Sequence, residues 1–271
     1  MKSAATAFLF PMITALAMLF PADAQPRGMS VPADQPVERA DENSRIAHAE
    51  LLEKAGKGVI DIYFAGDSIT RRWGAVDYPR LLDNWNRNFF GWNAANFGWG
   101  GDSTQNILWR LRNGELDGVH PKVIVLLAGT NNLNYRIGPE REAFVVADIT
   151  RGIEAILGVM REKAPGAVII LMGIFPRNDN RALMPIIDRI NQKLSSLADG
   201  EKIRYLNING RLADAAGNLY EGMADSDMLH LAVGGYQIWA DALKPLFHEL
   251  LGPPADEDHA PPPTGNPAAR K

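Results

Sequence analysis

The chain has 271 residues, of which 46% are hydrophobic and 22% charged, a composition typical of folded globular proteins. Its net charge of −4 provides no basic excess for binding phosphates, so we expect no nucleic-acid partner. Cysteine is absent, which excludes disulfides, thiolate catalysis and cysteine-ligated metal sites.

The first residues have the pattern of a secretory signal. Lys2 precedes an almost wholly apolar run at residues 4–20, and residues 21–24 (PADA) form a small-x-small cleavage pattern. An uncleaved anchor is the alternative, but the run is short for a membrane span and contains Pro11. We predict a signal peptide at residues 1–24, a secreted or periplasmic protein, and no stable membrane anchor after cleavage.

Two further terminal segments are polar and rich in proline. Residues 25–38 are predicted to be a linker, and residues 253–271 lack almost any large apolar side chain. A segment of this kind buries too little surface to offset its ordering entropy, so we expect a disordered tail with a solvated His259. A single domain at residues 39–252 remains.

Short apolar runs alternate with amphipathic stretches through this domain. The runs predict strands at residues 59–65, 93–97, 123–128, 167–174 and 203–208. The amphipathic stretches predict helices at residues 39–57, 78–90, 104–113, 139–163, 181–198 and 235–251. Such alternation predicts an α/β fold with a parallel sheet and right-handed crossovers.

Polar segments follow the predicted strands, where the ligands of parallel sheets bind. Ser68 lies in a Gly-Asp-Ser segment after the first strand, and Gly101 lies in a glycine-rich segment after the second. Asn131 follows the third strand, and Asp227 and His230 precede the last helix.

These residue types are those that acyl transfer requires. A serine hydroxyl needs an imidazole to accept its proton, and the imidazole needs a carboxylate to orient it. The tetrahedral intermediate needs donors for its oxyanion, which the backbone N–H groups of Ser68 and Gly101 and the amide of Asn131 would supply.

The four segments together resemble the SGNH (GDSL-type) hydrolases. The resemblance implies a flavodoxin-like three-layer α/β/α fold with a five-stranded parallel sheet, and neither metal nor cofactor. It implies Ser68 as nucleophile, His230 as base and Asp227 as its partner. It also implies an oxyanion hole formed by Ser68, Gly101 and Asn131.

Residues 96–116 and 123–132 look most like the catalytic subunits of intracellular platelet-activating factor acetylhydrolases, a resemblance that would imply a lipid substrate. The predicted export signal departs from that subgroup. We therefore predict a serine esterase that removes a short acyl group, acetyl above all, from a small-molecule or polysaccharide carbohydrate ester. The alternatives are a lipid, lysophospholipid or thioester hydrolase, and a non-catalytic carbohydrate-binding module.

Several other residues are candidates for the site. Asp225 competes with Asp227, which is favoured because its spacing to His230 matches the DxxH block. Asp67, Trp99 and Asn132 are predicted to line the substrate pocket, although Asp67 also suits a helix cap.

The remaining histidines of the domain, at positions 48, 120 and 248, are interpreted as structural or solvated. His48 and His248 lie in predicted helices and have no acidic residue spaced as Asp227 is from His230, and His120 precedes Pro121 in a predicted loop. Specificity is expected to reside in the loops at residues 73–78, 133–138 and 177–185.

Overall fold

The computed structural model describes residues 31–133 and 137–270. Its centre is a parallel sheet with the strand order β2-β1-β3-β4-β5, which is the flavodoxin-like order. The strands are β1 (Ile62–Gly66), β2 (Ala94–Asn96), β3 (Val123–Leu127), β4 (Val168–Met172) and β5 (Ile203–Leu206). The predicted fold class is confirmed.

Eight α-helices flank the sheet within the described residues. They are α1 (Glu42–Ala55), α2 (Ser68–Trp73), α3 (Pro79–Phe89), α4 (Thr104–Arg110), α5 (Glu142–Lys163), α6 (Met184–Ser195), α7 (Asn209–Leu212) and α8 (Val233–Leu251). Short 3-10 turns precede α5 and α6, and a π-helical turn, Leu111–Glu115, follows α4. The helices α2 and α7 were not predicted as separate elements, because they are too short to show helical periodicity.

Side chains of each strand alternate between two apolar cores. Tyr63 and Ala65 of β1 pack on the face covered by α1, α4, α5 and α6. Ile62 and Phe64 pack on the opposite face, which α2, α3, α7 and α8 cover. Because both faces are covered, the strands are continuously apolar rather than alternating, as is general for parallel sheets.

The carboxyl ends of β1 and β3 lie side by side, with Gly66 paired to Leu127. From β1 the chain passes to β2 by way of α2 and α3 on one face, and from β2 to β3 by way of α4 on the other. Such a reversal of strand order opens a crevice at the sheet edge, where α/β proteins bind ligands.

Part of the predicted linker packs on the domain. Ala33 is fully buried, its N–H lies 3.3 Å from the Asp148 carboxylate, and its carbonyl accepts a bond from the Thr104 hydroxyl at 2.9 Å. The predicted signal peptide and residues 25–30 lie outside the described residues.

The predicted disorder of the tail is wrong for residues 253–270. Backbone N–H groups of the domain bond to it, as between Val59 and the His259 carbonyl at 2.8 Å. The Gly91 N–H donates to the Asp258 carboxylate at 2.7 Å. A Cβ at Gly91 would lie 2.2 Å from the Ala255 carbonyl oxygen, so a glycine is needed for this approach. Composition gave no sign of this contact, because the hydrogen bonds that hold the tail involve backbone groups, which composition does not report.

Among residues 31–133 and 137–270, no helix has both the length and the apolar character required to cross a membrane.

Candidate active site

Ser68 is the first residue of α2, directly beyond the end of β1. Asp67 caps the helix, and its Oδ1 accepts the Ile69 N–H at 2.9 Å, which confirms the predicted capping role. Gly66 makes the sharp turn possible, because a Cβ there would lie 2.1 Å from Thr70 Oγ1. The Ser68 N–H belongs to the first turn of the helix and therefore has no partner within it.

Ser68, His230 and Asp227 form a continuous chain of hydrogen-bond contacts. His230 Nε2 lies 2.8 Å from Ser68 Oγ, and His230 Nδ1 lies 2.6 Å from Asp227 Oδ2. The other carboxylate oxygen, Asp227 Oδ1, accepts the backbone N–H groups of His230 at 2.9 Å and Leu229 at 3.1 Å. The carboxylate therefore orients the imidazole while the loop backbone orients the carboxylate.

Asp225 has a different position. Its carboxylate accepts the Ser226 N–H at 2.7 Å and lies 3.6 Å from Arg72. Its own backbone N–H donates to the His230 carbonyl at 2.8 Å. Asp225 thus supports the loop, and Asp227 is the acid that reaches the imidazole.

The pKa shifts of Asp227 and His230 suit His230 to the role of proton acceptor. Partial burial raises the pKa of Asp227, but hydrogen bonds from the His230 and Leu229 N–H groups outweigh it and bring the pKa to about 2. Burial lowers the pKa of His230, against the opposing effect of the Asp227 hydrogen bond. At neutral pH Asp227 is ionised and His230 is neutral, so Nε2 is free to accept the Ser68 proton.

Gly101 and Asn131 lie in the segments that follow β2 and β3. Gly101 is exposed and has a φ of 77°, a backbone conformation that favours glycine. The Asn131 side-chain nitrogen donates to the carbonyl of the adjacent Asp102 at 2.9 Å. The loop after β2 is in turn tied to the nucleophile strand, because the Trp99 N–H donates to the Gly66 carbonyl at 3.1 Å.

A buried ionic cluster, which the sequence analysis missed, lies beneath these loops. Arg110 donates to Asp102 Oδ2 at 2.7 Å, to the Phe97 carbonyl at 3.0 Å and to Glu115. Burial raises the pKa of Asp102 to about 6, although Arg110 opposes this. His48 Nδ1 lies 2.8 Å from Glu115 Oε1, so this histidine has an acidic partner far from it in sequence. Charged residues inside the apolar helical pattern were the only available signal.

The structure gives the three predicted pocket residues other surroundings. Asp67 is fully buried, and burial raises its pKa to about 7, so its assignment to the pocket wall is wrong. Trp99 is buried under the Arg71 guanidinium, and its Nε1 donates to Ser44 Oγ at 2.8 Å. The Asn132 amide bonds to Thr104 and Gln105 and thereby holds the start of α4.

No three histidine or carboxylate side chains are grouped as metal ligands in the part of the chain that the structure describes.

Comparisons with known proteins agree with this geometry. The family model of the GDSL-like Lipase/Acylhydrolase family matches residues 64–238. Platelet-activating factor acetylhydrolase IB subunit alpha2 of Rattus norvegicus is 36% identical over 195 residues, which are 70% of this chain and 76% of that protein.

Solved structures share the fold. One from Streptococcus pneumonia, named for platelet activating factor, has a TM-score of 0.60 at 24% identity and covers 76% of this chain and 92% of that one. A carbohydrate esterase family 3 structure from Talaromyces cellulolyticus has a TM-score of 0.50 at 16% identity, covering 71% and 98%. The chain is a carboxylic ester hydrolase and belongs to the GDSL-like lipase/acylhydrolase family.

Proposed function

We propose that the protein is a serine esterase that removes short acyl groups, acetyl above all, through an acyl-enzyme on Ser68. The observation that carries the proposal is the line of contacts from Ser68 Oγ through His230 to Asp227, at 2.8 and 2.6 Å. These lengths are normal for proton transfer between a nucleophile and its base.

In the first half of the reaction Ser68 Oγ attacks the ester carbonyl while its proton passes to His230 Nε2. The carbonyl oxygen becomes an oxyanion, which the N–H groups of Ser68 and Gly101 and the Asn131 amide stabilise. When the intermediate collapses, the bond to the alcohol breaks and His230 returns the proton to the departing oxygen. Asp227 stays ionised throughout and stabilises the imidazolium.

In the second half a water molecule attacks the acyl-enzyme, and His230 takes the proton of that water. The second tetrahedral intermediate collapses to the free carboxylic acid, and the proton on His230 returns to Ser68 Oγ. One ester and one water thus give one acid and one alcohol. The same residues act in both halves, so no further reactant is needed.

Acetyl is proposed as the acyl group because the 36% identical relative bears the name of an acetylhydrolase. For the alcohol portion we propose a carbohydrate bound in a groove of about 500 Å³ beside the triad loop. Asp225 and Leu231, on either side of His230, line this groove. Carboxylates, an arginine and a tyrosine alternate there with apolar side chains, a mixture that suits a ligand with hydroxyl groups and C–H faces: Asp77, Tyr78, Pro79, Arg80, Leu81 and Val233.

A second candidate is a lipid ester, which the name of the platelet-activating factor relatives favours. Acetylated xylan, acetylated amino sugars and acetylated phospholipid, offered at equal acetyl concentration, distinguish the two by kcat/KM. A preference for acyl chains of about eight or more carbons would favour a lipid or thioester hydrolase instead. Export remains a prediction. N-terminal sequencing of the mature protein tests it, and we expect the first residue to be Gln25, directly after Ala24.

The central experiment is replacement of Ser68 by alanine. We expect hydrolysis of p-nitrophenyl acetate to be abolished and an organophosphonate to label the wild type at Ser68 and not S68A. Retained turnover in S68A would refute the proposed function. A wild type that resists labelling would favour a non-catalytic binding module.

A further inference from the structure

Arg72 lies in α2, four residues after Ser68, and reaches the loop that carries the catalytic histidine. Its Nη1 lies 3.3 Å from Asp227 Oδ2 and 3.6 Å from Asp225 Oδ2. Asp227 Oδ2 is the same oxygen that contacts His230 Nδ1. One guanidinium therefore contacts both acids of the loop, and shares the triad carboxylate oxygen with the imidazole.

Arg72 and Asp225 hold their places by separate contacts. The Arg72 guanidinium lies 5.2 Å from the centre of the Tyr78 ring, and its side chain is only 20% exposed. Asp225 is held by its bonds to the Ser226 N–H and the His230 carbonyl. Asp227, by contrast, has a side chain that is 40% exposed, so its carboxylate depends on directed contacts to keep one orientation.

We propose that Arg72 and Asp225 act together as a flanking charge pair that positions Asp227 and sets the acid limit of the enzyme's activity. The acid limit is the midpoint at which activity is lost on the acid side of the pH profile. This inference rests on the proposed function of Ser68 and His230. Neither residue touches the reacting atoms, so both are positioning residues. Arg72 holds in place the Asp227 oxygen that contacts the imidazole, and Asp225 partly neutralises the positive charge of Arg72.

Arg72 and Asp225 carry opposite charges and therefore shift the pKa of the His230 imidazole in opposite directions. The charged groups that face His230 are Asp227 and Asp225 from its own loop and Arg72 from α2. Burial is the largest cause of the lowered pKa of His230; the Asp227 hydrogen bond opposes it, and Arg72 adds to it. Asp225 acts in the raising direction. Loss of Arg72 should therefore raise the pKa of His230, and loss of Asp225 should lower it.

The size of the effect follows from Coulomb's law. A unit charge about 6 Å from a titrating group in a water-like medium moves the midpoint of its titration by about 0.5 pH unit. The more exposed Asp225, with 58% of its side chain accessible, should have the smaller effect. Screening by salt reduces both, so the measurement is made at low ionic strength.

The test is the pH profile of kcat/KM for p-nitrophenyl acetate, a small ester, between about pH 4.5 and 8. We expect R72Q to move the acid-side midpoint up by about 0.5 pH unit and D225N to move it down by about 0.2 to 0.5. R72K retains the charge and should keep the midpoint within about 0.2 of wild type, and the R72Q/D225N double variant should return close to it.

R71Q is the matched control, because Arg71 is the neighbouring residue of the same helix but pairs with Asp77 at 2.8 Å. Its midpoint should stay at the wild-type value. Thermal melts of each variant confirm that the fold is intact. Midpoints of R72Q and D225N that are unchanged, or that move in the same direction, would overturn the proposal, since a merely structural role cannot produce opposite shifts.

A second measurement separates this inference from the proposed function. Nuclear magnetic resonance titration of the His230 ring in the S68A background reports the electrostatics without any turnover. There too we expect a higher pKa for His230 with R72Q and a lower one with D225N. Activity retained in S68A would refute the function while leaving this titration decisive for the charge pair. A kinetic midpoint that stays constant while the His230 titration moves would overturn the assignment of the acid limit.

Discussion

Replacement of Asn131 by alanine tests the oxyanion site at a single donor. The Asn131 amide nitrogen carries two hydrogens, and the Asp102 carbonyl accepts one of them at 2.9 Å. The other hydrogen remains for the oxyanion. Loss of one such donor typically lowers kcat about 10²- to 10³-fold, or by about 2.7–4 kcal/mol of transition-state stabilisation. KM should change little, because the ground-state ester carries no oxyanion.

The same substitution has a smaller cost in stability. It removes one partly buried hydrogen bond, worth about 0.5–1.5 kcal/mol, which for a domain of this size lowers Tm by a few degrees, about 2–4 °C per kcal/mol. Asn132→Ala is the matched control. It removes bonds to Thr104 N–H at 2.9 Å and to Gln105 Oε1 at 2.8 Å, so we expect a comparable or larger loss of Tm.

Steady-state kinetics on p-nitrophenyl acetate and thermal melts are measured for both variants. The expected pattern is a large fall in kcat for N131A with a small fall in Tm. For N132A we expect a comparable or larger fall in Tm and a kcat within about threefold of wild type. Equal kcat losses in the two variants, or a kcat for N131A close to wild type, would refute the assignment of Asn131 to the oxyanion hole.

Three further predictions follow from the site. Asp227→Asn should lower kcat by about 10³- to 10⁴-fold with an unchanged fold, because the amide favours the wrong imidazole tautomer; circular dichroism and kinetics check this. The wild-type activity should fall as pH falls through a midpoint below 6.5, since the pKa of His230 is lowered and only the neutral ring accepts a proton; a midpoint above 6.5 would contradict this. Asp67→Asn should raise Tm relative to wild type, increasingly between about pH 4 and 7. Burial raises the pKa of Asp67 to about 7, so in this window the unfolded chain ionises the carboxyl while the folded wild type keeps it protonated, and the wild type loses stability as pH rises.

Much of the fold followed from local pattern. The run at residues 123–128 is apolar throughout because β3 lies at the centre of a sheet that is covered on both faces. The structure ends this strand at Leu127, and the first strand begins at Ile62 rather than at Val59. Val59 instead donates its N–H to the His259 carbonyl, a partner that no local pattern indicates.

In the candidate site too, the sequence predicted some features and tertiary packing decided others. The motif around Ser68 and the three-residue spacing of Asp227 to His230 pointed to one group of residues, and the structure brings these side chains within hydrogen-bond distance. The predicted place of Asp67 in the wall of the substrate pocket did not follow, because its burial depends on which elements pack over it.

Residue types and their order were therefore enough to specify the class of fold, the family and the set of chemical groups. The orientation of those groups depends on contacts between distant parts of the chain, such as Arg72 with Asp227, 155 residues apart, or the closing contact of Gly91 with the tail. Periodicity and motifs report the local chain, whereas the charges and packing that tune a titrating group come from whichever segments the tertiary fold places beside it.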